Sequence, residues 1–282
     1  MPPSFVICAL AVAIVGSSSH AIAGQSKVGA KHAPVEIIPD ENGNPVASVA
    51  GQLETSNWSG YVLPKFVTNE GYTSAQGTWI VPKVIYNGVS SASANWVGIG
   101  GFCKSAQCKK GKGDKTLIQL GTIQAALSVS DSEYFAWYEL LPNASIETSL
   151  VVNPGDVITA SLSCAGKCKG KQKWTLSMTD ETTHDSWSQV VTYNSSKLSV
   201  EWIEEAPTDQ NGIAPLADFD VTTFSESTKN GASADLSAGI GVVMNDPNGQ
   251  SSNVSAPNST SDGFSACFSP DSSLANCVDT SP

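Results

Sequence analysis

Glutamates placed among aromatic residues are the side chains of this sequence best suited to acid–base chemistry. One stands in the run YFAWYELLP, residues 134–142, and three stand in the run VEWIEEAP, residues 200–207. Aromatic surroundings partly desolvate a carboxyl group and raise its pKa, which makes the group usable as an acid or a base. Since side chains alternate along a strand, Phe135, Trp137 and Glu139 are predicted to share one face.

Alternation also divides the second run. It places Glu201 and Glu205 on one face of the strand and Glu204 on the other. From the residues alone, Glu139 and Glu205 could equally be solvated glutamates of an edge strand. For Glu204 we favour that solvated interpretation.

A single uncharged amide, Gln119, stands between apolar neighbours in the run TLIQLGT, residues 116–122. A side-chain amide can donate a hydrogen bond to a developing oxyanion without titrating. The alternative is a structural glutamine that bonds to the backbone.

Histidine is scarce, and this narrows the chemistry. The three histidines are His20, His32 and His184. The first lies in a predicted leader and the second in a predicted arm, so only His184 falls in the presumed core, within the turn-like run ETTHD. We interpret it as a solvated loop residue. No metal site rich in histidine can be assembled, and we expect neither a metal nor another cofactor.

The amino terminus predicts export. An apolar run over residues 5–15 precedes Ala-Ile-Ala at 21–23, which indicates a signal peptide over residues 1–23. That run is too short to span a membrane. We therefore expect a secreted protein without a membrane partner.

Six cysteines remain after the leader, at positions 103, 108, 164, 168, 267 and 277. An even number in an exported chain predicts disulfides, most simply between the three neighbouring pairs. The alternative is a zinc site built from the first four.

Short runs rich in Val, Ile, Thr, Tyr and Trp, separated by Gly, Pro, Asn or Asp, predict an all-β protein. Residues 24–52 have little periodicity and are interpreted as a flexible arm or a short propeptide, and residues 53–282 as one domain. The predicted strands cover residues 57–63, 72–83, 92–102, 116–127, 133–141, 156–164, 173–181, 186–194, 198–205, 217–225, 237–245 and 264–268. Without helical crossovers they predict antiparallel sheets packed as a sandwich or jelly roll. The Ser/Asn-rich stretch 251–262 is predicted to be an exposed loop.

The charge pattern argues against nucleic acid as a partner. The net charge is −11, and all 15 basic residues are lysines, most of them within residues 104–115 and 167–173. The rest of the chain offers no broad basic face to a phosphate backbone. We expect a monomer.

Six motifs, taken together and in order, resemble those of the glutamic peptidase (eqolisin) family. They are SNWSGY at 56–61, GTWIVP at 77–82, WVGIGG at 96–101, LIQLG at 117–121, AWYELLP at 136–142 and EWIEE at 201–205. The similarity continues more weakly to about residue 245.

This resemblance implies a two-sheet antiparallel sandwich that acts as a secreted acid endopeptidase on polypeptide substrates. The family glutamate falls on Glu205, as general base and acid, and the family glutamine falls on Gln119, as oxyanion stabiliser. The residues expected to line or support the substrate cleft are Trp58, Trp96, Trp137 and Glu139. Carboxyl groups titrate near pH 4.3 in model peptides, so activity is expected in acid.

The chain departs from the family pattern at Gly100 and Ile123, where members often carry aspartates. The lysine-rich segment 104–115 could overhang the cleft and favour acidic substrates, or form a solvated hairpin loop. Two other functions stay open. One is a jelly-roll glycoside hydrolase that uses Glu139 and Glu205. The other is a non-catalytic sandwich that binds sugar or peptide.

Overall fold

The strands dominate the computed structural model, which describes residues 31–48, 51–102, 114–166, 168–274 and 276–281. These residues contain one short helix, α1 (Lys65–Thr68), and a 3₁₀ turn at Leu236–Ala238. The strands are β1 (Leu53–Thr55), β2 (Trp58–Pro64), β3 (Ser74–Ile80), β4 (Ser91–Gly100), β5 (Leu117–Ser128), β6 (Asp131–Leu140), β7 (Ile146–Glu147), β8 (Val157–Cys164), β9 (Lys173–Asp180), β10 (Ser186–Thr192), β11 (Ser199–Glu205), β12 (Thr208–Asp209), β13 (Gly212–Ile213), β14 (Val221–Lys229), β15 (Ala232–Ser233), β16 (Ile240–Asn245), β17 (Ser251–Val254) and β18 (Phe264–Ser269). Neither helical element is long and apolar enough to cross a membrane.

One continuous sheet runs through the order β10-β9-β8-β3-β14-β18-β17-β16-β2-β11-β4-β5-β6-β7. The pairs along this path are antiparallel, while β1 lies parallel to β16 at the side. Strands β12 and β13 form a separate hairpin. The predicted all-β, antiparallel class is confirmed.

The sheet folds over itself into two packed layers. Strands β4 and β5 of one layer lie against β8 of the other, and β11 lies against β14. Large side chains fill the space between the layers, among them Trp79, Trp174, Trp202, Phe224 and Phe264. This packing gives the sandwich its main core.

A second apolar cluster, here called the outer cluster, covers the opposite face of β2, β11, β4, β5 and β6. It consists of Trp58, Val62, Ala94, Trp96, Leu117, Ile123, Trp137, Ile203 and Val242 with Val35 and Phe102. Alternation along each strand separates its members from the main core. The layer that carries it is therefore buried on both faces.

The stretch predicted to be an exposed loop, residues 251–262, begins instead with the buried strand β17. Its serines are tolerated inside because their hydroxyls are paired. Ser251 Oγ donates to the carbonyl of Asp271 at 2.6 Å, and Ser59 Oγ donates to Ser252 Oγ at 2.7 Å. The prediction was wrong because these hydroxyl groups find their hydrogen-bond partners in other parts of the chain, which the local composition does not reveal.

Two of the three predicted disulfides are confirmed, Cys164 with Cys168 and Cys267 with Cys277. Cys103 and Cys108 lie outside the described residues. The first bridge removes two of the four sulfurs that the alternative zinc site needed. The described ranges hold no cluster of His, Cys, Asp and Glu suited to a metal ion.

Candidate active site

Strand register brings the predicted catalytic residues to the same face of one layer. Glu205 ends β11, which pairs with β4, and β4 pairs in turn with β5. On β5, Gln119 lies opposite Glu139 of the neighbouring strand β6. Their side chains point to the outer face, with the outer cluster around them. The alternation predicted for both glutamate runs is confirmed.

Glu205 is fully buried and both of its carboxylate oxygens are engaged. Trp96 Nε1 donates to Oε2 at 2.8 Å, and His32 Nδ1 lies 2.7 Å from the same oxygen. The main-chain amide of Ala33 donates to Oε1 at 3.1 Å. One contact therefore comes from the sheet, and two come from the amino-terminal arm.

Gln119 is oriented by a carboxyl group and does not bond directly to Glu205. Its Nε2 donates to Glu139 Oε2 at 2.9 Å, while its Oε1 has no partner among the described residues. Burial raises the pKa of Glu139 to about 7; nearby His32 lowers it and the charge of Glu205 raises it. Below that pH the Glu139 carboxyl is neutral and can still accept the amide hydrogen bond.

The three predicted cleft tryptophans are brought together around this pair. Trp58 and Trp96 pack edge to face with ring centroids 4.9 Å apart. Trp58 Nε1 also donates to the carbonyl of Ala33 at 3.1 Å. Trp137 stacks on the ring of His32 at 3.5 Å, with 9° between the planes. All three indoles are buried.

His32 is the site residue that sequence reasoning missed. It was assigned to a flexible arm, yet the residue is only 3% exposed and its ring contacts the predicted catalytic glutamate. Residues 31–36 carry no strand period, so no local signal could place them. His184 is exposed in its turn, as the sequence indicated.

The prediction that Glu204 is solvated is wrong. Strand β11 lies between β2 and β4 and is not an edge, so its inner face is enclosed by the main core. Glu204 Oε2 accepts a hydrogen bond from Asn95, which also donates to Thr222. Burial raises the pKa of Glu204 well above its ordinary value, against the effect of hydrogen bonds from Ser93 and Asn95.

Glu201 shares the outer face with Glu205 and is equally buried. Neither of its carboxyl oxygens has a hydrogen-bond partner among the described residues. Burial raises its pKa well above the ordinary value. We therefore treat Glu201 and Glu204 as neutral side chains at the acidic pH expected for activity.

Backbone geometry explains one departure from the family pattern. Gly100 has φ of +99°, and a Cβ there would lie 2.1 Å from the carbonyl oxygen of Thr116. No side chain fits this position, so an aspartate is excluded. Ile123 belongs to the outer cluster. The lysine-rich stretch lies outside the described residues except for its end at positions 114 and 115.

Comparison with known proteins agrees with the motifs. The model of the Peptidase A4 family matches residues 56–265. Among solved structures, scytalido-glutamic peptidase with a transition state analog inhibitor matches at 24% identity and a TM-score of 0.57, covering 76% of this chain and 98% of that one. The same peptidase with a peptide-based transition state analog matches at 22% identity, with the same coverage and TM-score. No curated protein matches.

The structural likeness supports the sandwich fold, and the family match spans most of the chain. The family match decides between the functions that the sequence left open. It favours the peptidase over the glycoside hydrolase and over the non-catalytic binding sandwich. The chain belongs to the Peptidase A4 family and is a glutamic endopeptidase.

Proposed function

We propose that this endopeptidase is secreted, works in acid, and uses Glu205 and Gln119 as its catalytic pair. The observation that carries the proposal is the outer-face arrangement itself. A buried carboxyl group held by Trp96 shares this face with an amide that Glu139 orients, and His32 contacts both Glu205 and Glu139. Both groups lie among the tryptophans of the outer cluster.

In the proposed reaction, ionised Glu205 takes a proton from a water molecule as that water attacks the carbonyl carbon of the scissile peptide bond. The carbonyl oxygen becomes an oxyanion, which the Gln119 amide stabilises by donating a hydrogen bond. Protonated Glu205 then gives the proton to the leaving nitrogen, and the C–N bond breaks. The net change is the addition of one water across the peptide bond.

Glu139 and Trp96 position this pair. The bond from Gln119 to Glu139 uses one amide hydrogen and fixes the plane of the amide, so that the other hydrogen can point towards substrate. A neutral Glu139 adds no negative charge beside the oxyanion. The indole N–H of Trp96 donates to Glu205 Oε2 at 2.8 Å and so fixes the orientation of that carboxyl group.

Export and domain organisation remain part of the proposal. A leader over residues 1–23 fits the two disulfides, which form and persist in oxidising compartments. One sandwich domain over residues 53–282 acts on polypeptides as a monomer, without nucleic acid or a membrane. Sequencing the amino terminus of the exported protein checks the leader: it should begin at Gly24 or further along the chain.

Hydrolysis of acid-denatured casein at about pH 4 tests the catalytic assignment. Steady-state turnover by wild type should resist an inhibitor of aspartic peptidases. Glu205→Gln should lower turnover by about 10²–10⁴-fold, the usual contribution of a general base. Near wild-type turnover by a folded Glu205→Gln protein would contradict the assignment.

A further inference from the structure

One end of the sandwich collects most of the lysines that the structure describes. At this end, here called the lysine end, β2, β6 and β14 finish and β3, β5, β9 and β11 begin. Seven of the nine described lysines lie there, and Lys31 and Lys83 are the other two. The exposed members of the group are Lys65, Lys115, Lys169, Lys171 and Lys173, while Lys197 and Lys229 are half-buried. They come from five separate parts of the chain, so the fold brings them together.

Residues 193–198 connect several of these parts. The main-chain amide of Lys65 donates to the carbonyl of Leu198 at 2.7 Å. Lys197 Nζ donates to the carbonyl of Cys168 at 2.6 Å, in the turn that a disulfide closes. The segment therefore holds helix α1 and the disulfide-bonded turn at the same end of the molecule.

The same segment contacts two other stretches that carry lysines. The main-chain amide of Ser196 donates to Thr116 Oγ1 at 2.9 Å, and a lysine precedes that threonine. Ser195 and Gln172 exchange two hydrogen bonds, each of 3.0 Å, and a lysine stands on either side of that glutamine. The ammonium groups of these stretches are thus carried by one connected surface.

Few carboxylates neutralise the lysine end. Glu70 lies 3.4 Å from Lys229 Nζ, and Asp114 accepts hydrogen bonds from Thr116 and Ser196. The five exposed lysines form no ion pair with any residue that the structure describes. This end therefore presents unpaired positive charge to solvent, although the chain as a whole has a net charge of −11.

The opposite end of the sandwich is acidic. There β6 and β14 begin, and β3 and β9 finish. The carboxyl groups at its surface are those of Asp131, Glu133, Glu181, Asp185, Asp218 and Asp220. Lysine keeps its charge in acid, whereas carboxyl groups in model peptides titrate near pH 4. At the acidic pH proposed for activity, the negative field of this end weakens while the lysine end keeps its positive field.

The lysine end adjoins the part of the cleft that holds Gln119. Tyr193 Oη accepts from the main-chain amide of Leu117 at 2.9 Å and donates to the carbonyl of Leu141 at 2.8 Å. These leucines lie two residues from Gln119 and from the carboxyl group that orients it. Glu205, in contrast, is the last residue of β11 and lies towards the acidic end. A polypeptide that lies over both proposed catalytic residues therefore continues towards the lysine end.

We propose that the lysine end attracts acidic stretches of polypeptide substrates, so that this enzyme prefers proteins that carry Asp or Glu near the cleaved bond. The inference deepens the proposed function and rests on it, because the substrate must lie over Glu205 and Gln119. The partner is a polypeptide because the chain is an endopeptidase. It is acidic because unpaired ammonium groups of one sign raise the local concentration of oppositely charged chains.

Cleavage of paired peptides tests this preference. Both peptides share one cleavable core, and a run of Asp in one is replaced by Asn in the other. The run is placed first on one side of the core and then on the other. For at least one placement, kcat/KM at about pH 5 should be at least about threefold higher for the Asp peptide at about 0.02 M salt, and the two values should converge at about 0.5 M salt. Equal values at low salt for both placements would overturn the proposal.

Lysine variants test whether the lysine end is the source of the preference. Lys115→Gln/Lys171→Gln removes two exposed charges from it, and the matched control Lys31→Gln/Lys83→Gln removes two exposed charges elsewhere. The first variant should lose at least about half of the preference for the Asp peptide, while the control should keep it, since a charge near the docking surface governs encounter. An equal preference in the two double variants would overturn the proposal.

Binding of a peptide that resists cleavage separates this inference from the proposed function. Fluorescence anisotropy at about pH 5 and low salt follows a labelled octapeptide of D-aspartate with wild type and both double variants. Kd should be at least about threefold higher for Lys115→Gln/Lys171→Gln than for the control. If Kd differs in this way but cleavage does not depend on Glu205, the catalytic assignment fails and the lysine end still attracts acidic chains.

Two other results would overturn the inference about the lysine end. If cleavage depends on Glu205 but Kd for the D-aspartate peptide is the same in all three proteins, this inference fails alone. If dextran sulfate binds and the D-aspartate peptide does not, the surface recognises an anionic polysaccharide instead of an acidic polypeptide.

Discussion

Glu204 and Glu205 are adjacent, identical in type and both fully buried, yet they lie in opposite environments. Glu204 points into the main core, where Asn95, a residue of the sandwich itself, donates to its carboxyl group. Glu205 points to the outer face, where one contact comes from the sheet and two come from residues 32 and 33. Burial alone therefore does not distinguish the structural carboxyl group of Glu204 from the proposed catalytic carboxyl group of Glu205; the residues that cover each group do.

The same contrast recurs on β5. Gln124 faces inward and donates to Ser93 and to Asn95, so it belongs to the polar network of Glu204. Gln119 faces outward and donates to Glu139. The partners of the inner pair belong to the sandwich itself, whereas residues 32 and 33 of the amino-terminal arm contact Glu205 on the outer face.

Gln119→Ala, with Gln124→Ala as its matched control, should give the largest difference between the two faces. Loss of an oxyanion donor lowers kcat by about 10²–10³-fold. Gln124→Ala should leave kcat within a few-fold of wild type and lower the stability instead, because it leaves buried polar atoms unpaired. Steady-state kinetics measure the loss of kcat, and urea unfolding measures the loss of stability. Equal losses of kcat in the two variants would contradict the assignment of catalysis to the outer face.

The free energy of unfolding should fall as the pH rises from about 4.5 to 7. The folded pKa of Glu139 is raised to about 7, above its ordinary value of 4.5, so in this window the folded state binds a proton that the unfolded state has released. Such a group stabilises the fold at low pH and loses that contribution as the pH approaches 7, by about 3 kcal/mol for a shift of this size. The raised pKa values of Glu201 and Glu204 act in the same direction.

Urea unfolding at a series of pH values measures this dependence. A protein more stable at pH 7 than at pH 4.5 would contradict the three raised pKa values.

Glu204→Gln should stabilise the protein at neutral pH. An amide has the shape of the protonated carboxyl, can accept from Asn95, and never carries the buried charge. The gain should be about 1–3 kcal/mol at pH 7 and close to zero at pH 4, with turnover unchanged. A loss of turnover comparable to that of Glu205→Gln would contradict the proposal that the catalytic residues lie on the outer face alone.

Trp58→Phe should have the smallest effect. The indole N–H donates to the main-chain carbonyl of Ala33, and we expect it to donate in the same way to a main-chain carbonyl of the bound substrate. Loss of one such bond costs about 0.5–1.5 kcal/mol. KM should rise a few-fold with little change in kcat, whereas a fall in kcat alone would show that Trp58 acts on the transition state.

Much of the outer face could be predicted from sequence because alternation is a local property. It placed Glu205 and Glu201 together and Glu204 opposite, and it grouped Trp137 with Glu139. It could not reveal which strands lie at an edge, so Glu204 was wrongly predicted to be solvated. Neighbours in the sheet come from distant parts of the chain, and no local pattern records them.

The amino-terminal segment and β17 were missed for a related reason. His32 is buried by contacts with residues more than 100 positions away, and its own neighbourhood has no period. The serines of β17 look solvated until their partners are known. The choice of Gln119 rested on family resemblance, since an isolated glutamine in a strand carries no signal of its own.

The most direct test of the account is the ratio of kcat for Glu205→Gln to kcat for Glu204→Gln, measured at about pH 4 in the wild-type and His32→Ala backgrounds. The two variants make the same chemical change at adjacent positions on opposite faces. The account predicts a ratio below about 10⁻² in both backgrounds, with Glu204→Gln close to its parent. A ratio near one would show that the outer-face carboxylate is not the catalytic base.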